Sequence, residues 1–268
     1  MTPAPPITLV PINLHNPPEH AELQAQRRLC GWDYSDAALL KWRQKQDAGL
    51  KNFFWITSPK AVADKSPQTD SPDADTATDP ETGAVRAGHI SLDAYADPPD
   101  LELARADRSI LTIQTFFVRS EYRSLGLGRA AMDLVETMAG QEPYGSPRCE
   151  YVTVTSTSKR YYYNETAGPD GTGLWALLGR EVPRVCAVDW YERRGYVRWK
   201  SEKRWSDVSL DGEKVDLVAD FLRKPVPRGV VEEAKTRRTG GKWWWLLPLS
   251  GAILGIVWWR KFNMTSRV

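Results

Sequence analysis

A chain of 268 residues has room for one sizeable domain and an appendage, and 41% hydrophobic content with 10 tyrosines and 12 tryptophans supplies a core. Nine Lys/Arg against two Glu lie from Lys224 onward, so the formal charge of +2 divides into a mildly acidic body and a basic tail. That balance argues against nucleic acid as the body's partner and suits a cationic acceptor. Cys30, Cys149 and Cys186 form no C-x-x-C pair, and His15, His20 and His89 are scattered, so the pattern predicts buried thiols in a reducing compartment and no metal site.

The opening MTPAPPITLVPI lacks a basic start and is broken by prolines, so no signal peptide is expected and a cytosolic domain is. Ile7 to Ile12 reads as a strand. Asn16, Pro17, Pro18 and Glu19 then supply an N-cap, a proline start and a capping-box acid for a helix reaching about Cys30. Ser35 caps a second helix carrying Leu39, Leu40 and Trp42, and core packing is expected for Trp32, Tyr34 and Trp42. A strand over Asn52 to Thr57 gives way to residues 58–83, crowded with Pro, Asp, Ser and Thr, which predicts a flexible acidic loop. Ala84 to Tyr95 returns to strand, and a loop over Asp97 to Asp107 leads to its antiparallel neighbour, Ile110 to Val118.

From Ile110 to Ala139 the pattern passes from a buried strand, through a glycine-bearing turn, into an amphipathic helix with Leu127, Ala131, Leu134 and Met138 at helical spacing. Between them Arg123, Gly126 and Gly128 spell R-x-x-G-x-G. Glycines here let a ligand approach the backbone and leave the first N–H groups of the helix pointing outward, as a diphosphate cradle requires. Gly126 to Ala131 also spells G-x-G-x-x-A, but Arg119 to Leu125 separate it from its strand and Glu150 precedes the next one, so a dinucleotide fingerprint is rejected on spacing.

Cys149 to Thr155 is the next strand, and residues 156–182, with YYYNETAGPDGTG at their centre, are read as an insertion. Pro183 starts a helix over Arg184 to Arg194, ending at Gly195 in the left-handed C′ position. Tyr196 to Trp205 and Val215 to Arg223 form a closing hairpin around Asp211-Gly212.

Two blocks of residues carry a resemblance. Val118, Glu121, Tyr122, Arg123, Gly126, Leu127, Gly128, Arg129 and Ala130, followed by Ala187, Trp190, Tyr191, Glu192, Gly195 and Tyr196, resemble the GNAT superfamily of acyl-CoA N-acyltransferases, with departures at Ser120 and Ser124 where the family often has Pro and Gly. The resemblance implies an α+β fold over residues 1–224, a mixed, mostly antiparallel twisted sheet flanked by helices, in which the strand after the cradle helix diverges from Ile110 to Val118 and opens a slot for pantetheine. It implies transfer of an acetyl group from acetyl-CoA to a primary amine by direct attack in a ternary complex. Backbone N–H groups of Ser124, Leu125, Gly126, Leu127, Gly128 and Arg129 would hold the pyrophosphate, with charge from Arg123 and Arg129. Main-chain groups of Phe117 and Val118 would pair with pantetheine, and the Tyr191 phenol would protonate the leaving thiolate. Where some relatives carry Glu or His as a base, Thr112 and Gln114 stand, with His89 and Asp93 as alternatives nearby. A CoA-binding or scaffolding module without turnover is the alternative function.

Residues 225–242 read as a basic linker. Trp243 to Trp259, WWWLLPLSGAILGIVWW, carries no charge and is bracketed by Lys242, Arg260 and Lys261. As a helix it would measure ~26 Å, with tryptophans at both interfaces, so a C-terminal single-pass membrane anchor is expected, with the catalytic body in the cytosol and residues 260–268 as a short tail. Gly251 and Gly255 offer a G-x-x-x-G face for a possible homodimer.

Overall fold

The computed structural model describes residues 6–59, 83–165 and 168–227. Its strands are β1 (Thr8–Pro11), β2 (Lys51–Ser58), β3 (Val85–Asp93), β4 (Ile110–Ile113), β5 (Phe116–Val118), β6 (Tyr151–Thr157), β7 (Val197–Val208) and β8 (Lys214–Pro225). They form one sheet in the order β1-β2-β3-β4-β6-β8-β7, with β5 paired to β3. Among the described residues every pair is antiparallel except β4 with β6, whose register runs from Ile110↔Tyr151 to Ile113↔Val154. The helices are α1 (Pro17–Cys30), α2 (Asp36–Asp47), α3 (Leu127–Ala139) and three short ones, α4 (Arg160–Tyr163), α5 (Gly173–Leu177) and α6 (Ala187–Glu192).

The period-2 alternation sorts the central strands onto two unlike faces. On one, Phe54, Ile56, Ile90, Leu92, Leu111, Ile113, Val152 and Val154 pack against Leu127, Ala131, Val135 and Ala139 of α3 in the main apolar core. On the other, the paired positions Lys51↔Asp93, Phe53↔Ser91 and Trp55↔His89 lie under α1 and α2, where Leu23, Leu39 and Trp42 join Phe53 and Trp55 in a second cluster. The apolar stripe of α3 is 127/131/135/139, so the expected Leu134 turns outward to 38% exposure.

Several predicted elements are redrawn. Ile110 to Val118 is broken at Gln114 and Thr115, because the Thr115 N–H leaves the ladder to donate to Ser91 Oγ (3.2 Å) while the Gln114 amide reaches Asp93 Oδ2 (3.0 Å) and the Tyr95 carbonyl (2.9 Å). Ser35 caps α2 as expected, accepting from the Ala38 N–H, but Asn16 makes no side-chain cap on α1. Glu19 instead accepts from the Asn13 N–H and the Asn16 amide. The last helix starts at Ala187 rather than Arg184, with Arg184 and Val185 exposed ahead of it. Trp42 is buried, but Trp32 (41%) and Tyr34 (48%) are exposed, and Cys30 is only half-buried.

The described residues of the 156–182 segment are docked. Tyr161, Leu174 and Trp175 pack on Leu217 and Val218 of β8, the Tyr161 hydroxyl accepts from the Val218 N–H (2.8 Å), and Trp175 Nε1 donates to the Tyr161 carbonyl (2.7 Å). The acidic loop over residues 60–82, most of the linker and the Trp243 to Trp259 segment lie outside the described residues. Among the described residues no helix is long and apolar enough to cross a membrane.

Candidate active site

At the centre of the sheet two strands part. β4 and β6 run side by side as far as Ile113 and Val154; beyond the break at Gln114–Thr115 the chain continues as β5, which stays on β3, while β6 continues with β8 alone. The parting leaves one edge of β5 open. Arg119 donates its N–H to Ala87 and Ser91 donates its N–H to Thr115, which fixes Thr115, Phe117 and Arg119 as the residues whose main chains face β3. The N–H and C=O of Phe116 and Val118 therefore face the open edge, and Phe117 directs its own toward His89. Of Phe117 and Val118, the two expected from the sequence, only Val118 presents its main chain outward, with Phe116, because a strand's inward and outward groups are told apart only by its register.

The loop after β5 makes a single turn of 3-10 helix over Ser120–Tyr122 and then reaches α3. Gly126 is the N-cap of α3 in the left-handed conformation, φ 82°. Ser124, where the glycine of the motif is replaced, is also left-handed at φ 64° and exposed, so the loop keeps the shape glycine favours at some cost in backbone strain. The N–H groups of Ser124 to Arg129 find no acceptor among the described residues; those of Leu127, Gly128 and Arg129 are in the first turn of the helix, where none is available within it. A Cβ on Gly128 would stand 3.2 Å from Phe116 Cζ and 3.6 Å from Val118 Cγ2, so a side chain there would crowd the Phe116 ring. Arg123 turns back, donating Nε to the Val118 carbonyl (2.9 Å) over the Phe117 ring, while Arg129 is exposed at the helix start. Leu125 is half-buried against the main core and Leu127 fully buried in it.

Across the fork, α6 packs on β6 and β8 and brings Trp190 to 5.8 Å from Phe116, ring to ring. Tyr191 follows, nine-tenths buried between Trp190 and Tyr196. Burial pushes its phenol above the ordinary tyrosine value, with Arg194 opposing and Glu136 adding to the rise, so it is a neutral O–H throughout the physiological range. Arg194 locks this corner to α3 through Asp133 (2.8 Å) and Glu136 (3.0 Å), and Lys224 bonds Glu136 as well (2.6 Å). Lys159, at the start of the insertion, pairs with Asp189 and Glu192 of α6, tying that segment to the same helix.

One parallel pair in an otherwise antiparallel sheet, a fork beyond it, and a helix N-terminus with free amides beside the fork are together what the resemblance implied. The architecture fits the GNAT fold. No protein-family model matches the chain, and no curated protein matches it. Among solved structures it is similar to Arabidopsis thaliana NAA60 in complex with a bisubstrate analogue (13% identity, TM-score 0.47, covering 83% of this chain and 100% of that one). It is also similar to an aminoglycoside 6'-N-acetyltransferase complexed with coenzyme A (12%, 0.44, 83% and 99%) and to a spermidine N-acetyltransferase SpeG chimera from Vibrio cholerae and hSSAT (8%, 0.44, 80% and 93%). At such identities and TM-scores the likeness assigns no activity.

On the sheet face away from α3, the positions Thr112 and Gln114 carry no base. Thr112 Oγ1 donates to the Thr153 carbonyl (3.3 Å), and Gln114 is engaged with Asp93, Tyr95 and the Asp97 N–H. His89 bonds Gln26 through Nδ1 (3.0 Å). Burial, then the charges of Arg27 and Lys51, hold it well below its usual value, so it is neutral. Asp93 lies directly opposite Thr112 across the β3–β4 ladder.

Proposed function

We propose that the chain is an acetyl-CoA-dependent N-acetyltransferase that passes the acyl group to a primary amine by direct attack in a ternary complex. The observation that supports this most is the run of unpaired N–H groups from Ser124 to Arg129 at the N-terminal end of α3, next to the open edge of β5. A diphosphate matches such a run in charge and in hydrogen bonding. Arg123 and Arg129 add positive charge. The outward main-chain groups of Phe116 and Val118 suit an amide-bearing arm laid along the strand, and an N–H there would polarise the thioester carbonyl as its oxygen gains charge. Tyr191 is the acid: its buried, neutral phenol protonates the thiolate as the C–S bond breaks.

Titration calorimetry with acetyl-CoA, followed by thiol release on a panel of primary amines, tests the reading. Binding with turnover supports it; binding without turnover on any amine would leave a CoA-binding module. We further infer from residues 243–259 that the body is tethered to a membrane, the charge-free run and its flanking tryptophans being the support. Alkaline carbonate should leave the full chain in the membrane fraction and release one ended at Val226.

A further inference from the structure

Attack by an amine on a thioester requires the unprotonated nitrogen, so the acceptor ammonium must first lose a proton. Neither the cradle nor Tyr191 can take it. Among the described residues two carboxylates are wholly buried, Asp93 and Asp220. Asp220 is saturated: Oδ1 accepts from Ser158 and Ser201, and Oδ2 accepts from the Lys159 N–H (2.8 Å) and Arg198 (3.3 Å). Asp93 is not. Its Oδ2 accepts from Lys51 Nζ (2.9 Å), Ser91 Oγ (2.7 Å) and Gln114 Nε2 (3.0 Å), whereas Oδ1 is buried with no hydrogen-bond partner. An unpaired buried carboxylate oxygen is costly and calls for a reason.

We propose that Asp93 is the proton acceptor of this site, taking the ammonium proton of the amine on Oδ1, directly or through one bridging water; this rests on the acyl-transfer reading above. Position supports it. Asp93 stands opposite Thr112, one residue short of where β4 and β6 part, and Ser91, which donates to Asp93, also accepts the N–H of Thr115, whose neighbour Phe116 offers its main chain to the fork. The buried Thr115 Oγ1, at the break before β5, also has no hydrogen-bond partner, nor has His89 Nε2.

Lys51 equips the carboxyl for this role. Its amine sits over the rings of Phe53 (4.2 Å), Trp42 (5.0 Å) and Tyr95 (5.6 Å), contacts that, with Asp93, favour the cation against the burial that lowers it. Burial raises the Asp93 carboxyl above the usual range, against the opposing pull of Lys51, Ser91 and Gln114, and a weaker acid is a better base. The step balances as follows. The ammonium gives its proton to the Asp93 carboxylate, the nitrogen lone pair forms the C–N bond, the C–S bond breaks, Tyr191 protonates the thiolate, and the second proton shed by the acylated nitrogen returns through water to the Tyr191 phenolate. Asp93 returns its proton to solvent after the products leave.

Asp93→Asn tests this with a matched pair of acceptors, an alkylamine that turns over and its fluorinated analogue, whose ammonium is far more acidic. Because Asp93→Asn leaves Lys51 as a lone buried cation, Lys51→Met/Asp93→Asn is measured beside it. The expected result is acetyl-CoA affinity as in the wild type, a fall in kcat/KM of about 100-fold or more with the alkylamine, and a fall of less than about tenfold with the fluorinated amine. The rise of wild-type kcat/KM with pH through the Asp93 titration should also vanish. The charged and titratable groups around Asp93 are Lys51 on β2, Arg27 on α1, His89 on β3, Tyr95 and Asp97 just beyond β3, and Asp33 before α2. His89 is neutral and burial pushes Tyr95 up, so a limb that vanishes in both variants belongs to the Asp93–Lys51 pair. Equal losses with both amines, or turnover within about threefold of the wild type, would overturn the assignment while leaving acyl transfer intact. A wild-type protein that binds acetyl-CoA and acetylates no amine would overturn the transfer reading, and the base with it.

Discussion

The two sides of the fork are made of different material. On the side of α3 the groups on offer are main-chain amides from one continuous stretch, Ser124 to Arg129, held open by two left-handed residues and the end of a helix. Around Asp93 they are side chains from separate elements, Lys51 of β2, Ser91 and Asp93 of β3 and Gln114 at the break after β4, brought together only by strand pairing. A backbone site tolerates changes of side chain and fails when its conformation changes. A side-chain site behaves the other way round.

The largest effect should come from disturbing what both sides share, the β3–β5 pairing. A Cβ on Gly88 would lie 2.1 Å from the Phe117 carbonyl oxygen, so Gly88→Ala should cost about 3 kcal/mol by chemical denaturation and abolish binding and turnover together. Tyr191→Phe sharpens the contrast, because it alters chemistry without touching the cradle: kcat should fall roughly 100-fold with acetyl-CoA affinity unchanged. Since burial raises that phenol, the wild-type rate should not decline through the ordinary tyrosine range as pH rises. Turnover in Tyr191→Phe equal to the wild type at every pH would remove the acid role.

An intermediate effect separates the two aspartates. Burial alone would raise Asp220, but bonds from Ser201, the Lys159 N–H and Ser158, together with the Arg198 charge, outweigh it and hold the carboxyl below its usual range. A depressed carboxyl stabilises the fold above its unfolded pKa of ~3.9 and loses that contribution as pH falls through the folded value, so Asp220→Asn should flatten stability against pH in that acid window. Smaller effects belong to the loop. Gly126→Ala places a Cβ at φ 82° and should cost about 1–2 kcal/mol while weakening acetyl-CoA binding; Ser124→Gly relieves φ 64° and should add about 1 kcal/mol of stability with binding retained.

The same difference explains what could be read from the sequence. The left-handed turn and helix start were legible because they are local, signalled by Gly126 and Gly128 between a β-branched run and a helical period. The fold followed from that stretch together with Trp190, Tyr191 and Gly195. The break at Gln114–Thr115 was not legible, since it arises from bonds to Ser91, Asp93 and Tyr95 on another strand. Nor was the status of Asp93, whose neighbour Lys51 lies 42 positions away and reads alone as an ordinary surface lysine. Leu134 was misplaced because the apolar residues of α3 outnumber one stripe, and only the position of the sheet selects which are buried. Trp32 and Tyr34 were expected in the core from their chemistry, yet they follow Gly31, the left-handed cap that turns the chain away from α1.

The central claim is that main-chain amides around Ser124 to Arg129 grip the pyrophosphate of coenzyme A. A crystal structure of the full chain with coenzyme A tests it most directly. Pyrophosphate oxygens about 2.9 Å from several of those nitrogens, with the pantetheine arm along Phe116 and Val118, are the expected result. Coenzyme A bound elsewhere, or those amides satisfied by the protein's own acceptors in the complex, would contradict the account.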